Sequence, residues 1–223
     1  MTKKLFFQAI TKFVFGLIVT ALLLFLPAGT IRYRNGWLLI GILFVPMFFA
    51  GIVMMLRSPE LLKKRLNARE KEIEQKAVIA LSGIMFLSAF VIAGLNHRFG
   101  WIRMPDWAVY AAAAVFLSAY LMYAEVLREN VYLSRTVEVQ ENQRVIDTGL
   151  YGIVRHPMYS STLVLFLSMG LVLGSPISFG ILLFYIPIIA KRIRNEEAVL
   201  VQGLEGYAEY RKKVKYKVIP LIW

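Results

Sequence analysis

Cysteine is absent from this chain of 223 residues, and histidine occurs only twice, at His97 and His156. Without a thiol the protein has no disulfide, no cysteine-ligated metal and no covalent thiol catalysis. Two histidines are too few for a histidine-built metal site, and the 14 acidic residues lie mostly in charged connecting segments. We therefore expect no metal site.

Long apolar runs dominate what is present. Hydrophobic residues make up 58% of the chain and its mean hydropathy is +0.61, whereas soluble domains contain about 45–50% apolar residues. A bilayer requires about 20 apolar residues in a helix. Four runs approach or reach that length and predict spanning helices: 13–29, 37–56, 77–95 and 107–127.

Two shorter apolar segments follow, at 159–173 and 177–190, separated by a Gly-Ser-Pro turn. Because each is shorter than an ordinary span, they predict a helical hairpin with short or tilted legs. The chain is thus predicted to be an all-α, polytopic integral membrane protein with five to six transmembrane helices. We expect a single membrane domain over 1–223, with four spans in 1–127 and the hairpin and a polar C-terminal segment in 128–223.

Two segments fit more than one interpretation. Lysines before the first apolar run also fit a signal peptide, but no small-residue cleavage site follows, so we favour a spanning helix. The charged connector 57–76 fits an amphipathic helix on the membrane surface or a solvated charged loop.

The net charge of +12 is distributed unevenly along these segments. A basic chain often binds nucleic acid, but the apolar runs argue against that partner. Six membrane segments place 22 of the 26 Lys and Arg residues on one side and four on the other. The positive-inside rule then makes the basic side cytoplasmic, with both termini there. The excess charge is a topology signal and a contact for anionic membrane lipid.

The most informative stretch is 147–160, which holds Gly149, Tyr151, Arg155, His156 and Tyr159 among others. Its proline at position 157 disfavours a helical backbone at the preceding histidine and suits the first position of a new helix. A helix start next to an arginine and a histidine favours an anion such as a carboxylate or phosphate. The alternative interpretation is an interfacial arginine between ordinary turn glycines.

At the other end of the predicted hairpin lie Arg192, Arg194, Glu196 and Glu197. A hairpin returns the chain to the surface that it left, so these side chains are expected near Arg155 and the helix start. Such a mixture suits a ligand with both a carboxylate and an amino group. Surface ion pairs along one helix are the alternative. Adjacent helical residues point about 100° apart, so we expect only one glutamate to touch a given ligand group.

Together these motifs resemble the isoprenylcysteine carboxyl methyltransferase family and related integral membrane methyltransferases, including phospholipid N-methyltransferases. The resemblance covers about 147–220 and comprises Gly-Leu-Tyr, Arg-His-Pro-Met-Tyr, the hairpin, the double glutamate and a Tyr-x-x-Tyr motif ending at Tyr210. Gly206 followed by Tyr207 departs from the more usual aromatic-Gly order.

The resemblance implies a membrane enzyme that binds S-adenosylmethionine from the cytoplasm and takes a lipophilic or prenylated acceptor from the bilayer. It makes 128–223 the cofactor-binding region. The implied cofactor-binding residues are Gly149, Tyr151, Arg155, His156, Pro157, Tyr159, Glu196 and Glu197.

A carboxylate acceptor is ionised at neutral pH and needs no general base, whereas an amine must first lose a proton. The lack of an obvious base is therefore compatible with carboxylate methylation. The resemblance implies carboxyl O-methylation of an isoprenylcysteine-like substrate, and Arg192 or Arg194 are then the candidate catalytic residues that hold the carboxylate. Three alternatives stay open: a phospholipid N-methyltransferase, a non-catalytic membrane protein, and a membrane reductase. Sterol reductases have a similar Arg-His-Pro-x-Tyr region and use a nicotinamide cofactor.

Overall fold

The computed structural model describes residues 3–66, 73–134, 137 and 139–223. Within these ranges the chain forms nine α-helices and one short 3-10 turn, and no strand. The helices are α1 (Lys3–Ala28), α2 (Arg34–Arg57), α3 (Pro59–Leu66), α4 (Ile73–Phe99), α5 (Asp106–Glu129), α6 (Pro157–Val172), α7 (Pro176–Leu182), α8 (Tyr185–Gly203) and α9 (Tyr207–Lys213), with the 3-10 turn at Gly149–Gly152 between α5 and α6.

Five stretches of helix among the described residues are long and apolar enough to cross a membrane. They are α1, α2, α4, α5 and the stretch Pro176–Gly203, which contains α7 and α8. The apolar helix α6 has 16 residues, which corresponds to about 24 Å and is shorter than the hydrocarbon core of about 30 Å. The prediction of an all-α, multi-pass integral membrane protein is confirmed.

The predicted helical hairpin is present as α6 packed against α7 and α8. α6 begins at Pro157, as predicted, and Pro176 occupies the first turn of α7, whose N-cap Ser175 accepts a hydrogen bond from the Ser178 amide at 3.2 Å. The two legs approach closely at Gly170, where a Cβ atom would lie 2.5 Å from the backbone nitrogen of Phe179. This contact holds the legs side by side.

The second leg of the hairpin is interrupted between α7 and α8. Pro187 is the third residue of α8 and lacks the N–H that would otherwise bond to the carbonyl of Leu183. The α-helical hydrogen-bond pattern is interrupted at 183–184, where the backbone keeps right-handed helical angles. The interruption falls where a proline-induced break is expected.

The hydrophobic core lies between the helices of both halves of the chain. α5 packs against α6, while α4 contacts α1, α7 and α8. Phe116, Val172 and Leu182 are fully buried at these contacts. Large apolar side chains on the outer surfaces stay exposed, for example Phe15 and Leu121, as expected for helices that face lipid.

Part of the connector 57–76 forms the short helix α3, with Leu61 and Leu62 buried. Residues 67–72 of that connector lie outside the described ranges. Arg65 of α3 donates to the Tyr123 hydroxyl of α5 and to the carbonyl of Ser134 at 3.3 Å. These two hydrogen bonds attach α3 to α5 and to the start of the connector that follows it.

The C-terminal segment folds back onto the start of α6. The amide of Arg155 donates to the carbonyl of Tyr216 at 2.9 Å, and the amide of His156 donates to that of Lys217 at 2.8 Å. The Ser160 hydroxyl donates to the carbonyl of Val218 at 2.6 Å. Because of these bonds, the first turn of α6 is covered by main chain at one side of the candidate site.

Candidate active site

A polar cleft lies where the start of α6, the polar half of α8, α9 and the connector after α5 meet. The connector residues that line it lie within 130–134, 137 and 143–146. The cleft is the place to which the hairpin returns the chain. Six of the ten predicted site residues line it: Tyr151, Arg155, His156, Tyr159, Arg192 and Glu196. The expectation that the two ends of the hairpin lie together therefore agrees with the structure.

The other four predicted residues lie beside the cleft without lining it. Glu197 and Pro157 are buried behind its wall, and Gly149 is at the start of the 3-10 turn. Arg194 is exposed on α8. The predicted set thus contains residues that face the cleft, residues that lie behind or next to its wall, and one exposed residue, Arg194.

Arg155 and Glu197 form a buried ion pair. Their side chains are each 6% exposed, and Nε of Arg155 donates to Oε1 of Glu197 at 2.7 Å. Nη1 of Arg155 also donates to the carbonyls of Val214 and Lys215, both at 2.8 Å. A buried charge is stable only when its hydrogen bonds are satisfied. Arg155 meets that condition by tying α8 to the C-terminal segment.

Glu197 is surrounded by potential donors. Nε2 of His156 lies 3.3 Å from its Oε1, and Nζ of Lys217 lies 3.2 Å from its Oε2. The alternative of surface ion pairs along one helix is wrong for Glu197, because its carboxylate is buried and faces Arg155, His156 and Lys217.

Glu196, one residue earlier, has a different environment. Its side chain is 24% exposed, and its Oε2 accepts a hydrogen bond from the Tyr159 hydroxyl. Its Oε1 lies 4.0 Å from Nδ1 of His156, beyond hydrogen-bond distance. Among the described residues no hydrogen bond reaches this oxygen, so Glu196 keeps acceptor capacity on the side of the cleft.

Arg192 is connected to Glu196 through Tyr159. Nε of Arg192 donates to the Tyr159 hydroxyl at 2.9 Å, and Nη1 donates to the side-chain oxygen of Gln75 at 3.2 Å. Gln75 is fully buried in α4. A cation and a carboxylate are thus fixed in one cleft by residues from three helices, α4, α6 and α8.

Two tyrosines of the C-terminal segment complete the wall. The Tyr210 hydroxyl donates to the carbonyl of Tyr151 at 2.7 Å. Tyr207 is 4% exposed and lines the cleft, but its buried hydroxyl has no hydrogen-bond partner among the described residues. Burial raises the pKa of both phenols above the usual value, so both are neutral hydroxyl groups at physiological pH.

Charged groups of both signs line the cleft. Within 3–66, 73–134, 137 and 139–223 no three His, Asp or Glu side chains are grouped to hold a metal ion. Cationic, carboxylate and hydroxyl groups instead surround one cleft beside apolar helices. Such a site is suited to a polar ligand that meets an apolar one at a membrane surface.

Residues 108–202 match the model of the Isoprenylcysteine carboxyl methyltransferase (ICMT) family. The resemblance predicted from the sequence is confirmed. The ICMT region runs from α5 into the last turn of α8 and contains all ten predicted site residues. Tyr207, Tyr210 and the segment 214–218 lie beyond the matched region.

Part of the chain is also similar to two curated sterol reductases. It is 26% identical over 135 residues to a Delta(14)-sterol reductase of Methylotuvimicrobium alcaliphilum, which covers 54% of this chain and 32% of that protein. It is 28% identical over 91 residues to a Delta(14)-sterol reductase of Mus musculus, covering 40% of this chain and 22% of that protein. The matches span under a third of the length of these curated relatives.

Inside the ICMT region, Gly149 and Tyr151 are positioned by the end of α5. The Glu129 carboxylate accepts from the Thr148 hydroxyl at 2.9 Å and from the Leu150 amide at 3.3 Å. Gly149 has φ +50°, and a Cβ atom there would lie 2.3 Å from Oε1 of Glu129. Next to this glutamate, the Asn130 amide donates to the Tyr151 hydroxyl at 2.8 Å.

Sequence reasoning missed several residues of the cleft in the ICMT region. Asn130 was not predicted, nor was the wall that the connector contributes, including Tyr132, Gln143 and Arg144. Glu129, which positions the 3-10 turn beside the cleft, was not predicted either. The connector has no hydrophobic period and no motif that assigns it to the site. The one available signal was position, because the connector joins α5 directly to the stretch 147–160.

Proposed function

We propose that this protein is an S-adenosylmethionine-dependent methyltransferase that acts on a lipophilic acceptor from the membrane. The observation that carries the proposal is the joint placement of Arg192 and Glu196 in the cleft, linked through the Tyr159 hydroxyl. Most residues that line the cleft belong to the ICMT region, and the cleft lies at the polar end of an apolar hairpin. A polar cofactor and an apolar acceptor have access to such a position from opposite directions.

The side chains of the cleft fit the chemistry of the cofactor. S-adenosylmethionine carries an ammonium and a carboxylate, and the cleft offers a glutamate with a spare oxygen and the cation of Arg144. Of the two glutamates we assign Glu196 to the cofactor. Glu197 positions Arg155 and His156 from behind the wall.

When bound, the cofactor supplies a methyl group that its sulfonium already activates. The protein's own task is then to orient the acceptor and to keep water away from it. Arg192, fixed by Tyr159 and Gln75, holds an acceptor carboxylate by charge-assisted hydrogen bonds. Leu200 and Leu204 contribute apolar surface to the same cleft. No general base is required, because a carboxylate is already ionised at neutral pH.

We infer that the acceptor is an isoprenylcysteine-like carboxylate. Two features support this choice: the ICMT family match and the position of Arg192, one helical turn beyond the buried Ile189 of α8. A phospholipid amine would need a base to remove a proton. A carboxylate acceptor requires no such step.

A nicotinamide-dependent reductase is the second candidate function. It is favoured by the two relatives named Delta(14)-sterol reductase. The distinction between the candidates is chemical. A reductase must bind a dinucleotide with several phosphates, whereas the proposed cofactor is a single amino acid-bearing nucleoside.

Calorimetric titration of the purified protein in detergent separates the two candidates. We expect S-adenosylhomocysteine to bind and reduced nicotinamide adenine dinucleotide phosphate not to bind. Binding of the dinucleotide alone would overturn the proposal in favour of the reductase. Binding of neither ligand would overturn both candidates.

The acceptor is tested by transfer of a radiolabelled methyl group. We expect labelling of a farnesylated cysteine analogue that has a free carboxylate, and no labelling of its methyl ester or of phosphatidylethanolamine. Labelling of phosphatidylethanolamine alone would retain the methyltransferase and replace the carboxylate acceptor by an amine.

A further inference from the structure

Tyr207 has a buried hydroxyl that makes no hydrogen bond to the described residues. The side chain is 4% exposed, its hydroxyl has no partner among the described residues, and the residue lines the cleft. By contrast, the buried hydroxyl of Tyr210, one turn later on α9, has a hydrogen-bond partner, since it donates to the carbonyl of Tyr151 at 2.7 Å. A buried polar atom without a hydrogen bond costs stability, so its retention requires an explanation.

The surroundings of Tyr207 are charged. Burial raises the pKa of the Tyr207 phenol above its usual value, and the negative charges of Glu197 and Glu196 raise it further. The hydroxyl therefore keeps its proton, and its oxygen keeps lone pairs that accept hydrogen bonds.

The two neighbouring carboxylates differ in their ability to bind anything further. Glu197 already faces Arg155, His156 and Lys217. Oε2 of Glu196 accepts a hydrogen bond from the Tyr159 hydroxyl, whereas its Oε1 accepts none from the described residues. Two acceptors on residues that line the cleft thus have spare capacity, Oε1 of Glu196 and the buried oxygen of Tyr207.

We propose that Glu196 and Tyr207 form a subsite for the ammonium group of the ligand. An ammonium has three donors and no acceptor, which matches one carboxylate oxygen and one phenol oxygen. The negative charge of Glu196 offsets the cost of removing the cation from water. This inference rests on the proposed function and extends it by naming the ligand group and a residue, Tyr207, that lies outside the matched family region.

The test compares Tyr207→Phe with the wild-type protein in two measurements. Loss of an unpaired hydroxyl is expected to leave the thermal unfolding temperature without ligand unchanged or higher. The same change is expected to weaken S-adenosylhomocysteine binding by about tenfold, the equivalent of one hydrogen bond to a charged group. A residue that merely supports the fold would not weaken binding while the unfolding temperature is maintained.

Tyr210→Phe is the matched control. It removes a hydroxyl that has a partner, so its unfolding temperature without ligand is expected to fall. The ligand group is identified with 5′-methylthioadenosine, which has the nucleoside but no amino acid portion. We expect it to bind Tyr207→Phe as well as it binds the wild-type protein.

Three results would overturn the subsite. One is unchanged S-adenosylhomocysteine binding by Tyr207→Phe, and another is a lower unfolding temperature for this variant, which would show that the hydroxyl already has a partner. The third is an equal loss for 5′-methylthioadenosine, which would assign the hydroxyl to the nucleoside. If the wild-type protein itself binds no S-adenosylhomocysteine, the proposed function fails and the ammonium subsite fails with it.

Discussion

At the scale of single residues, the two adjacent glutamates have different tasks. Residues next to each other on a helix point about 100° apart, which directs Glu197 into the protein and Glu196 toward the cleft. The sequence predicted that only one of them touches a given ligand group. Tertiary contacts determine that Glu197 is the buried one, because Arg155 and Lys217 contact it from other segments of the chain.

The buried pair gives the first prediction. Arg155→Ala leaves Glu197 as a buried carboxylate without its closest partner, and breaking a buried ion pair in this way costs about 3–5 kcal/mol. We expect a clear decrease in the thermal unfolding temperature in detergent. Arg194→Ala, which changes an exposed arginine of α8, is the control and is expected to unfold like the wild-type protein. Equal unfolding temperatures for the two variants would contradict the structural role of Arg155.

The same exposed control serves a second prediction, on catalysis. Arg192→Ala removes the cation proposed to hold the acceptor carboxylate, and we expect methyl transfer to fall by about 100-fold or more, as for loss of a charge-assisted contact. S-adenosylhomocysteine affinity should change much less. Arg194→Ala should keep activity within about twofold. A reversed order of the two variants in a methyl-transfer assay would assign the acceptor to Arg194.

At the scale of structural elements, the 3-10 turn Gly149–Gly152 and the end of α5 act as one unit. Glu129 accepts from Thr148 and from the Leu150 amide, while Asn130 donates to the Tyr151 hydroxyl. These contacts bridge about 20 residues of sequence. The sequence suggested turn glycines here, but the partner that makes Gly149 necessary was identified only by the fold.

A third prediction follows for this turn. Gly149→Ala places a side chain at φ +50° and toward the Glu129 carboxylate, and the left-handed backbone alone costs roughly 1–2 kcal/mol. We expect a lower unfolding temperature and weaker S-adenosylhomocysteine binding. Gly83→Ala, at a helical position with no neighbouring atom within 4 Å, is the control and should not lower stability.

The contribution of Glu129 is separated by the double variant Gly149→Ala with Glu129→Ala. Shortening Glu129 removes the steric conflict but not the backbone strain. The two changes are therefore expected to be less damaging together than the sum of their separate effects. Strict additivity in thermal unfolding would show that Glu129 does not contact the turn.

At the scale of the whole molecule, the distribution of charge favours one orientation in the membrane. Of the 26 Lys and Arg residues, Arg32, Arg34, Arg98 and Arg103 alone lie on the side opposite the cleft by the predicted topology. We propose that the cleft and both termini are cytoplasmic, in accordance with the positive-inside rule. Soluble cofactors are then available directly to the cleft.

The absence of cysteine makes this orientation measurable. Single variants Ile31→Cys, in the exposed loop between α1 and α2, and Arg211→Cys, on the exposed surface of α9, carry one thiol each. In intact cells stripped of any outer barrier, a membrane-impermeant maleimide is expected to label Ile31→Cys and not Arg211→Cys. Lysis should expose both thiols, and the opposite pattern before lysis would invert the proposed topology.

The sequence by itself determined the membrane class, the positions of the spans, the hairpin and the start of α6 at Pro157. These features depend on hydropathy and backbone preference, which neighbouring residues set locally. Tertiary structure decided which glutamate faces the cleft, why Arg155 is buried and how the connector and C-terminal segment form its walls. Those features depend on contacts between residues 42 to 60 positions apart, such as Arg155 with Glu197 and with Lys215. No local pattern specifies contacts of that range, because only the packing of the hairpin brings the segments together.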